Sequence, residues 1–152
     1  MKIEIDQSGK IENTSKPTVI AFSGNKNKSL IIFAGEKQKL QNHFRKIGKP
    51  SSFVYMTFAV LICLLIKGER LIDEIVIDRE YPGQEVLIKS YLLQFLRKSG
   101  KSFDKRKIYF QEIGRKSPAH NYAVRSYRLK KADVKVKSTE ILEFLTKTKS
   151  GV

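Results

Sequence analysis

The chain has 152 residues, the length of one ordinary domain, and a hydrophobic fraction of 41% argues against an intrinsically disordered chain. Thirty Lys and Arg residues against 15 Asp and Glu residues give a formal net charge of +15, which favours a polyanionic partner such as nucleic acid. The single cysteine, Cys63, excludes an internal disulfide, and its place in an apolar run predicts a buried, inert thiol. From this cysteine usage we expect a reducing, cytoplasmic location, and the strand-like N-terminus predicts no cleavable signal sequence.

The first half of the chain predicts three strands and two helices. Residues 2–6 are typical of a strand and are followed by a turn at Gly9 and Lys10. Residues 17–23 and 29–34 predict a second and a third strand, joined by a loop whose Gly and Asn content is typical of hairpins, so the three strands form an antiparallel meander. Polar residues 36–46 predict a short helix.

The run 53–66 is apolar at 13 of its 14 positions, and Ser52 is its expected N-cap. Because a bilayer-spanning helix needs about 20 residues, this run is too short to cross a membrane. A helix that is apolar on all sides is typically buried in the centre of a domain or shared with a second subunit. We therefore predict a central helix and consider a homodimer formed through it.

The second half predicts two further strands and three helices. Residues 71–77 form the fourth strand, which ends at Asp78, and 107–113 form the fifth. Amphipathic helices are expected at 84–98, at 118 to about 131 and at 138–147, with Pro118 in a first helical turn. Asp133 is interpreted as part of a connector. The domain is expected to span 1–147, with 148–152 as a disordered tail.

Two of these strands end in an aspartate that turn-forming residues follow. Asp6 precedes Ser8 and Gly9, and Asp78 precedes Pro82 and Gly83. If the two strands are adjacent, the carboxylates meet and repel each other unless a divalent cation lies between them. Either aspartate alone would be interpreted as a turn initiator, but the pair predicts a Mg²⁺ or Mn²⁺ site for phosphoryl chemistry.

This order of elements (three strands, helix, strand, helix, strand, helix) with an aspartate on the first strand and another at the end of the fourth resembles the ribonuclease H-like superfamily. In that fold the first strand is central, the second and third follow as hairpins, and the fourth pairs beside the first. The resemblance implies an α/β domain with a mixed sheet of five strands flanked by helices. It also implies metal-binding, catalytic roles for Asp6 and Asp78, and for His120, which lies where members carry a ligand on the last helix.

In one respect the chain differs from the superfamily. Many members carry a glutamate on the helix after the third strand, but 53–66 contain no acid. The nearest substitutes are Glu80, a candidate metal ligand, and Glu85, a candidate catalytic residue, with Glu36 a weaker choice. Glu80 could instead be a solvated turn residue, and Glu85 a first-turn acid paired with Lys89. If the missing carboxylate is not replaced, the domain binds nucleic acid without cleaving it.

Charge is segregated along the chain. Residues 97–137 carry 14 basic and three acidic side chains, whereas 69–85 carry six acidic and two basic ones. The bland alternative is a solvated, lysine-rich surface of the kind found in thermophile proteins. Tyr122 and Tyr127 could stack on bases, although their spacing with apolar residues favours burial. The candidate nucleic-acid-binding residues, expected to contact phosphates in a salt-dependent way, are Arg115, Lys116, Arg125, Arg128, Lys130 and Lys131.

Other chemistries lack their motifs, since the chain has no glycine-rich phosphate loop, no cysteine-rich metal spacing and no serine nucleophile elbow. The sequence therefore predicts a nuclease that hydrolyses phosphodiester bonds of DNA or RNA with Mg²⁺ or Mn²⁺. Two alternatives stay open. One is a non-catalytic nucleic-acid-binding module of the same fold, and the other is an interaction protein that dimerises through its central helix.

Overall fold

A mixed sheet of six strands with helices on both faces organises the computed structural model, which describes residues 1–146. The strands are β1 (Lys2–Ser8), β2 (Thr18–Ser23), β3 (Asn27–Ile32), β4 (Glu74–Asp78), β5 (Ile108–Gln111) and β6 (Val134–Lys135). The helices are α1 (Ala34–Lys46), α2 (Phe53–Ile66), α3 (Glu85–Lys98), α4 (Pro118–Leu129) and α5 (Ser138–Thr146). The predicted α/β class is confirmed, and the predicted tail at 148–152 lies outside the described residues.

The strand order is β5-β4-β1-β2-β3-β6, with β1 inside the sheet. The first three strands pair antiparallel, as predicted, while β4 runs parallel to β1 and β5 runs parallel to β4. The prediction of five strands was one short, because β6 adds two residues parallel to β3 at the far edge. The carboxyl ends of the three parallel strands β1, β4 and β5 therefore lie side by side at the same end of the sheet.

The larger core lies on the face that α2 and α3 cover. Alternate residues of β1 and β4, such as Ile3, Ile5 and Ile77, point into it and are fully buried. Helix α2 has the predicted bounds, and none of its residues is exposed because the sheet, α1 and α3 surround it. Burial within one chain thus accounts for the apolar run, and the homodimer stays a prediction. None of the helices described combines the length and hydropathy needed to span a bilayer.

Ser52 immediately precedes α2, at the predicted N-cap position, but its side chain does not cap the helix. Ser52 has helical dihedral angles, φ −84° and ψ −13°, within a 3₁₀ turn at Pro50–Ser52, and its side chain makes no capping hydrogen bond. An N-cap side chain reaches the first backbone N–H groups from an extended conformation, which this turn prevents. The chain therefore enters α2 through a continuous helical path.

The opposite face of the sheet is covered by α4, which crosses β1, β2 and β3. Val19, Ala21, Ile31 and Ala123 form its small core. At Gly9 the chain turns with φ +81°, and a Cβ there would lie 2.4 Å from the Pro17 carbonyl oxygen, so only glycine fits. A Cβ at Gly9 would also lie 2.7 Å from the Tyr127 ring, so the glycine lets α4 pack directly against the end of β1.

Candidate metal centre and basic groove

Asp6 and Asp78 meet because β1 and β4 are adjacent parallel strands in matching register. Ile5 lies opposite Ile77, so the next residue along each strand is the aspartate. Carboxylate oxygens of Asp6, Asp78 and Glu80 all lie within 4.8 Å of one another, and we call these three residues the carboxylate cluster. The predicted meeting of the two aspartates is therefore confirmed.

Asp6 does not end its strand as predicted. β1 continues to Ser8, and Asp6 pairs across the sheet with Ala21. Of the two turn residues that suggested an earlier end, Ser8 still pairs with Val19 on β2, and only Gly9 lies beyond the strand. Asp6 is thus held in the sheet by its pairing with β2, directly after the last pair of β1 with β4, rather than at a loose corner.

Glu80 joins the cluster through a tight turn after β4. Its backbone N–H donates to the Asp78 carbonyl oxygen at 2.8 Å, which folds the chain back so that both carboxylates face the same space. Asp78 is held in turn by the backbone N–H of Ile113, which donates to its Oδ1 at 2.9 Å. Of the three candidates to replace the absent helix glutamate, Glu80 is the one that lies beside the aspartates.

The electrostatics of the cluster favour a bound positive charge. Burial is the main cause that raises the pKa of Asp6, which is 5% exposed, and the charge of Asp78 adds to it. Hydrogen bonds from the Gln7 backbone N–H, 2.8 Å from Asp6 Oδ1, and from His120 oppose this rise. Burial, followed by the charges of Asp78 and Asp6, raises the pKa of Glu80 to about 7. A divalent cation would remove the repulsion that produces part of these shifts.

His120 contacts the cluster as a hydrogen-bond partner of Asp6, with 2.8 Å between its Nδ1 and Asp6 Oδ2. The start of α4 positions it. Ser117 caps the helix by accepting from the Ala119 N–H, and its hydroxyl donates to Glu4 on β1 at 2.8 Å. Because Nδ1 is engaged by Asp6, His120 is placed to orient that carboxylate, and only its Nε2 is left for the predicted role as a ligand.

Two other predicted candidates lie elsewhere. Glu85 begins α3 and lies outside the carboxylate cluster. Its carboxylate pairs with the Nε of Arg79 at 3.3 Å. The expected pair with Lys89 is absent, because the Lys89 ammonium donates to the Ile108 carbonyl. Glu36 accepts from the Ser138 N–H at 2.8 Å and so holds the start of α5. The chain reverses at Glu80, so that residue turns toward Asp78 before α3 begins.

A chain of three cavities runs from the cluster along α4. The acidic cavity, of about 360 Å³, contains the carboxylate cluster, His120 and Arg115. The last two also line the basic groove, of about 570 Å³, which in turn shares Arg125 and Leu129 with an end pocket of about 340 Å³. The groove is lined by Arg115, His120, Asn121, Val124, Arg125, Arg128 and Leu129.

The predicted phosphate-binding residues divide into two groups. Arg115, Arg125 and Arg128 line the groove, and Lys131 lines the end pocket, but Lys116 and Lys130 line none of these three cavities. Lys130 instead adopts a left-handed conformation, φ 54°, as the C-cap of α4, with its ammonium 4.5 Å from the Tyr127 ring centroid. Its role is therefore at the helix end, where the chain turns toward β6.

Sequence reasoning missed Glu112, which also lines the acidic cavity. It follows β5, the third parallel strand, so an acid after that strand was the signal that could have found it. Asp133 lies in the connection between α4 and β6, as predicted, but its side chain has a structural role that the sequence did not indicate. Asp133 Oδ2 accepts from the Tyr122 hydroxyl at 2.8 Å and from the Ser29 N–H at 2.9 Å, so it joins α4 to β3 and the start of β6.

No family model, curated protein or solved structure matches this chain. Its functional interpretation therefore depends on the geometry of its own residues. Near the carboxyl ends of the parallel strands, three carboxylates form a set of oxygen ligands of the kind that hard divalent cations prefer. A groove lined by three arginines begins beside it.

Proposed function

We propose that the protein is a metal-dependent nuclease that hydrolyses phosphodiester bonds of DNA or RNA with Mg²⁺ or Mn²⁺, in a ribonuclease H-like domain. One observation carries the proposal: the cavity of the carboxylate cluster, whose oxygens lie within 4.8 Å of one another, adjoins the arginine-lined groove, since Arg115 and His120 line both. Carboxylates alone would repel a phosphate that the arginines attract. A divalent cation in the cluster resolves this conflict, because it neutralises the acids where the phosphate must lie.

The topology supports the family part of the proposal. β1 is central, β2 and β3 follow as hairpins, and β4 lies parallel beside β1, which is the arrangement expected of a ribonuclease H-like sheet. The carboxylates at Asp6 and Asp78 lie on the two strands where the resemblance placed them. Helices on both faces complete the expected layers.

Each site residue then has a definable role. A cation at the cluster would supply electrostatic stabilisation of the charge that develops on the phosphate during hydrolysis. Asp6 and Asp78 provide oxygens fixed by two paired strands, and Glu80 provides a third from a turn. His120 orients Asp6 through its Nδ1 contact. Arg115, at the junction of the acidic cavity and the groove, would hold the phosphate beside the cluster.

A non-catalytic nucleic-acid-binding module is the second candidate, and the composition of α2 favours it. Where many superfamily members have a glutamate, this helix has only apolar and hydroxyl side chains. Its Tyr55 and Phe58 rings instead pack against the Tyr81 ring, with centroids 5.8 Å and 5.3 Å from the Tyr81 centroid. Tyr81 lies next to Glu80. Glu80 must therefore replace the helix glutamate if the protein is an enzyme.

Metal-dependent cleavage of labelled nucleic acids separates the two candidates. Single-stranded and duplex DNA, RNA and hybrids are incubated with Mn²⁺ or with EDTA. We expect cleavage with Mn²⁺ alone, lost at least a hundredfold in Asp78→Asn and retained in Asp73→Asn, a control at the opposite end of β4 with a largely exposed carboxylate. Salt-sensitive binding without cleavage supports the module instead. Cleavage that persists in EDTA or in Asp78→Asn contradicts the nuclease.

A further inference from the structure

The three cavities along α4 adjoin one another in a row that begins at the carboxylate cluster. Neighbouring cavities share lining residues, Arg115 and His120 at the first junction and Arg125 and Leu129 at the second. The 12 residues of α4 rise about 18 Å, at about 1.5 Å each. With one phosphate per about 3.4 Å of a stacked strand, that length accommodates about five nucleotides.

The row of cavities combines arginines with exposed apolar surface. Leu129 is 62% exposed yet lines both the groove and the end pocket, and half-buried Val124 lies beside it. Arg125 and Arg128 line the groove together with them. An exposed leucine adds nothing to phosphate binding, whereas apolar side chains and planar guanidinium groups both pack well on the faces of bases.

From this combination we infer that the groove binds an unpaired nucleic-acid strand in preference to a duplex, an inference that rests on the proposed function of the same site. In a duplex each base face is covered by its stacked neighbours, so only the phosphates would be available to the groove. An unpaired strand offers phosphates to Arg125 and Arg128 and base faces to Leu129 and Val124. The apolar contacts therefore provide the discrimination, and the arginines attract both forms.

Fluorescence anisotropy in EDTA, with one 12-nucleotide sequence labelled as a single strand and as a duplex, tests the inference at constant ionic strength. We expect the single strand to bind about tenfold more tightly, and Leu129→Gln to remove about that factor for the single strand while duplex binding is unchanged. Leu71→Gln is the matched control, since Leu71 is 72% exposed and precedes β4 at the other end of the sheet. Both variants replace exposed side chains, so folding should be unaffected.

Three results would overturn the inference: equal or tighter binding of the duplex, an equal effect of Leu71→Gln, or competition by polyglutamate as effective as that by the unlabelled strand. The last would mean that charge alone determines binding. Failure of the proposed function looks different. A protein that prefers single strands but never cleaves them retains the inference and loses the nuclease, whereas one that cleaves duplexes and single strands equally well retains the nuclease and loses the inference.

Discussion

Glu80 is the residue on which the proposed catalysis depends most, and its chemistry follows from its surroundings rather than from its type. On the sequence it is one of several acids near a turn. In the structure it is half-buried and faces Asp6 and Asp78, and burial together with these two charges raises its pKa to about 7. A carboxyl group with this pKa exchanges its proton for a cation near neutral pH, which couples metal binding to pH.

We therefore predict that the metal-free protein loses stability as the pH rises. The pKa of Glu80 is about 7 when folded against an ordinary value of 4.5, so the folded state binds the proton more tightly. Its stabilising effect is complete below about pH 4.5 and is lost as the pH passes through 7. Glu80→Gln should remove this loss and raise the free energy of unfolding at pH 8 by about 1–2 kcal/mol, after allowance for partial exposure.

Urea denaturation in EDTA at pH 5 and pH 8 measures the effect, and Glu143→Gln on the exposed side of α5 is the control. If wild type and Glu80→Gln depend on pH equally, Glu80 does not carry the cluster's proton. Adding Mg²⁺ at pH 8 should stabilise the wild type, because the cation replaces the proton.

At the scale of elements, long segments with a clear apolar pattern were predictable and the shortest strand was not. The bounds of α2 were predicted correctly because an apolar run ends abruptly at Lys67 and Gly68. β6, with two residues, is too short to have any periodicity, and it exists because β3 and Asp133 hold it. α1 was predicted as a polar helix, yet its Lys37 is fully buried, with its ammonium donating to Lys10, Asn13 and Thr18 oxygens.

The attachment of β6 gives the second prediction. Asp133→Ala removes the acceptor of two hydrogen bonds, one from the Ser29 N–H and one from the Tyr122 hydroxyl. Ser29 is fully buried. An unpaired buried N–H costs about 1–3 kcal/mol, so the free energy of unfolding should fall by that amount. Tyr122→Phe, which removes only the hydroxyl, should cost less than Asp133→Ala.

Denaturant unfolding gives these free energies, and hydrogen exchange at Val136, whose N–H donates to the Ile31 carbonyl, locates the effect. Faster exchange at Val136 is expected in Asp133→Ala. Unchanged exchange and stability would mean that β6 is held by its backbone pairing alone.

For the whole molecule, the sequence could predict the meeting of two aspartates, but not the shape of the site around them. Segregated charge and two strand-end aspartates are visible in the sequence. Which glutamate joins them depends on one tight turn, and which of six basic residues line the groove depends on how α4 crosses β1, β2 and β3. The residue types of the turn do not specify its conformation, and the path of α4 across the sheet is a property of tertiary packing that no local pattern encodes.

The net charge of +15 raises the question whether binding depends on the groove or on the overall charge. If the groove determines binding, Arg125→Gln and Arg128→Gln should each lower the slope of log Kd against log salt concentration by about 0.7 for a single strand, because each removes one phosphate contact. Lys49→Gln, an equally charge-reducing change in the exposed connection between α1 and α2, should leave the slope unchanged. Anisotropy titrations across a salt series give these slopes. Equal changes in all three variants would assign binding to the molecule's total charge, since long-range attraction does not distinguish one surface cation from another.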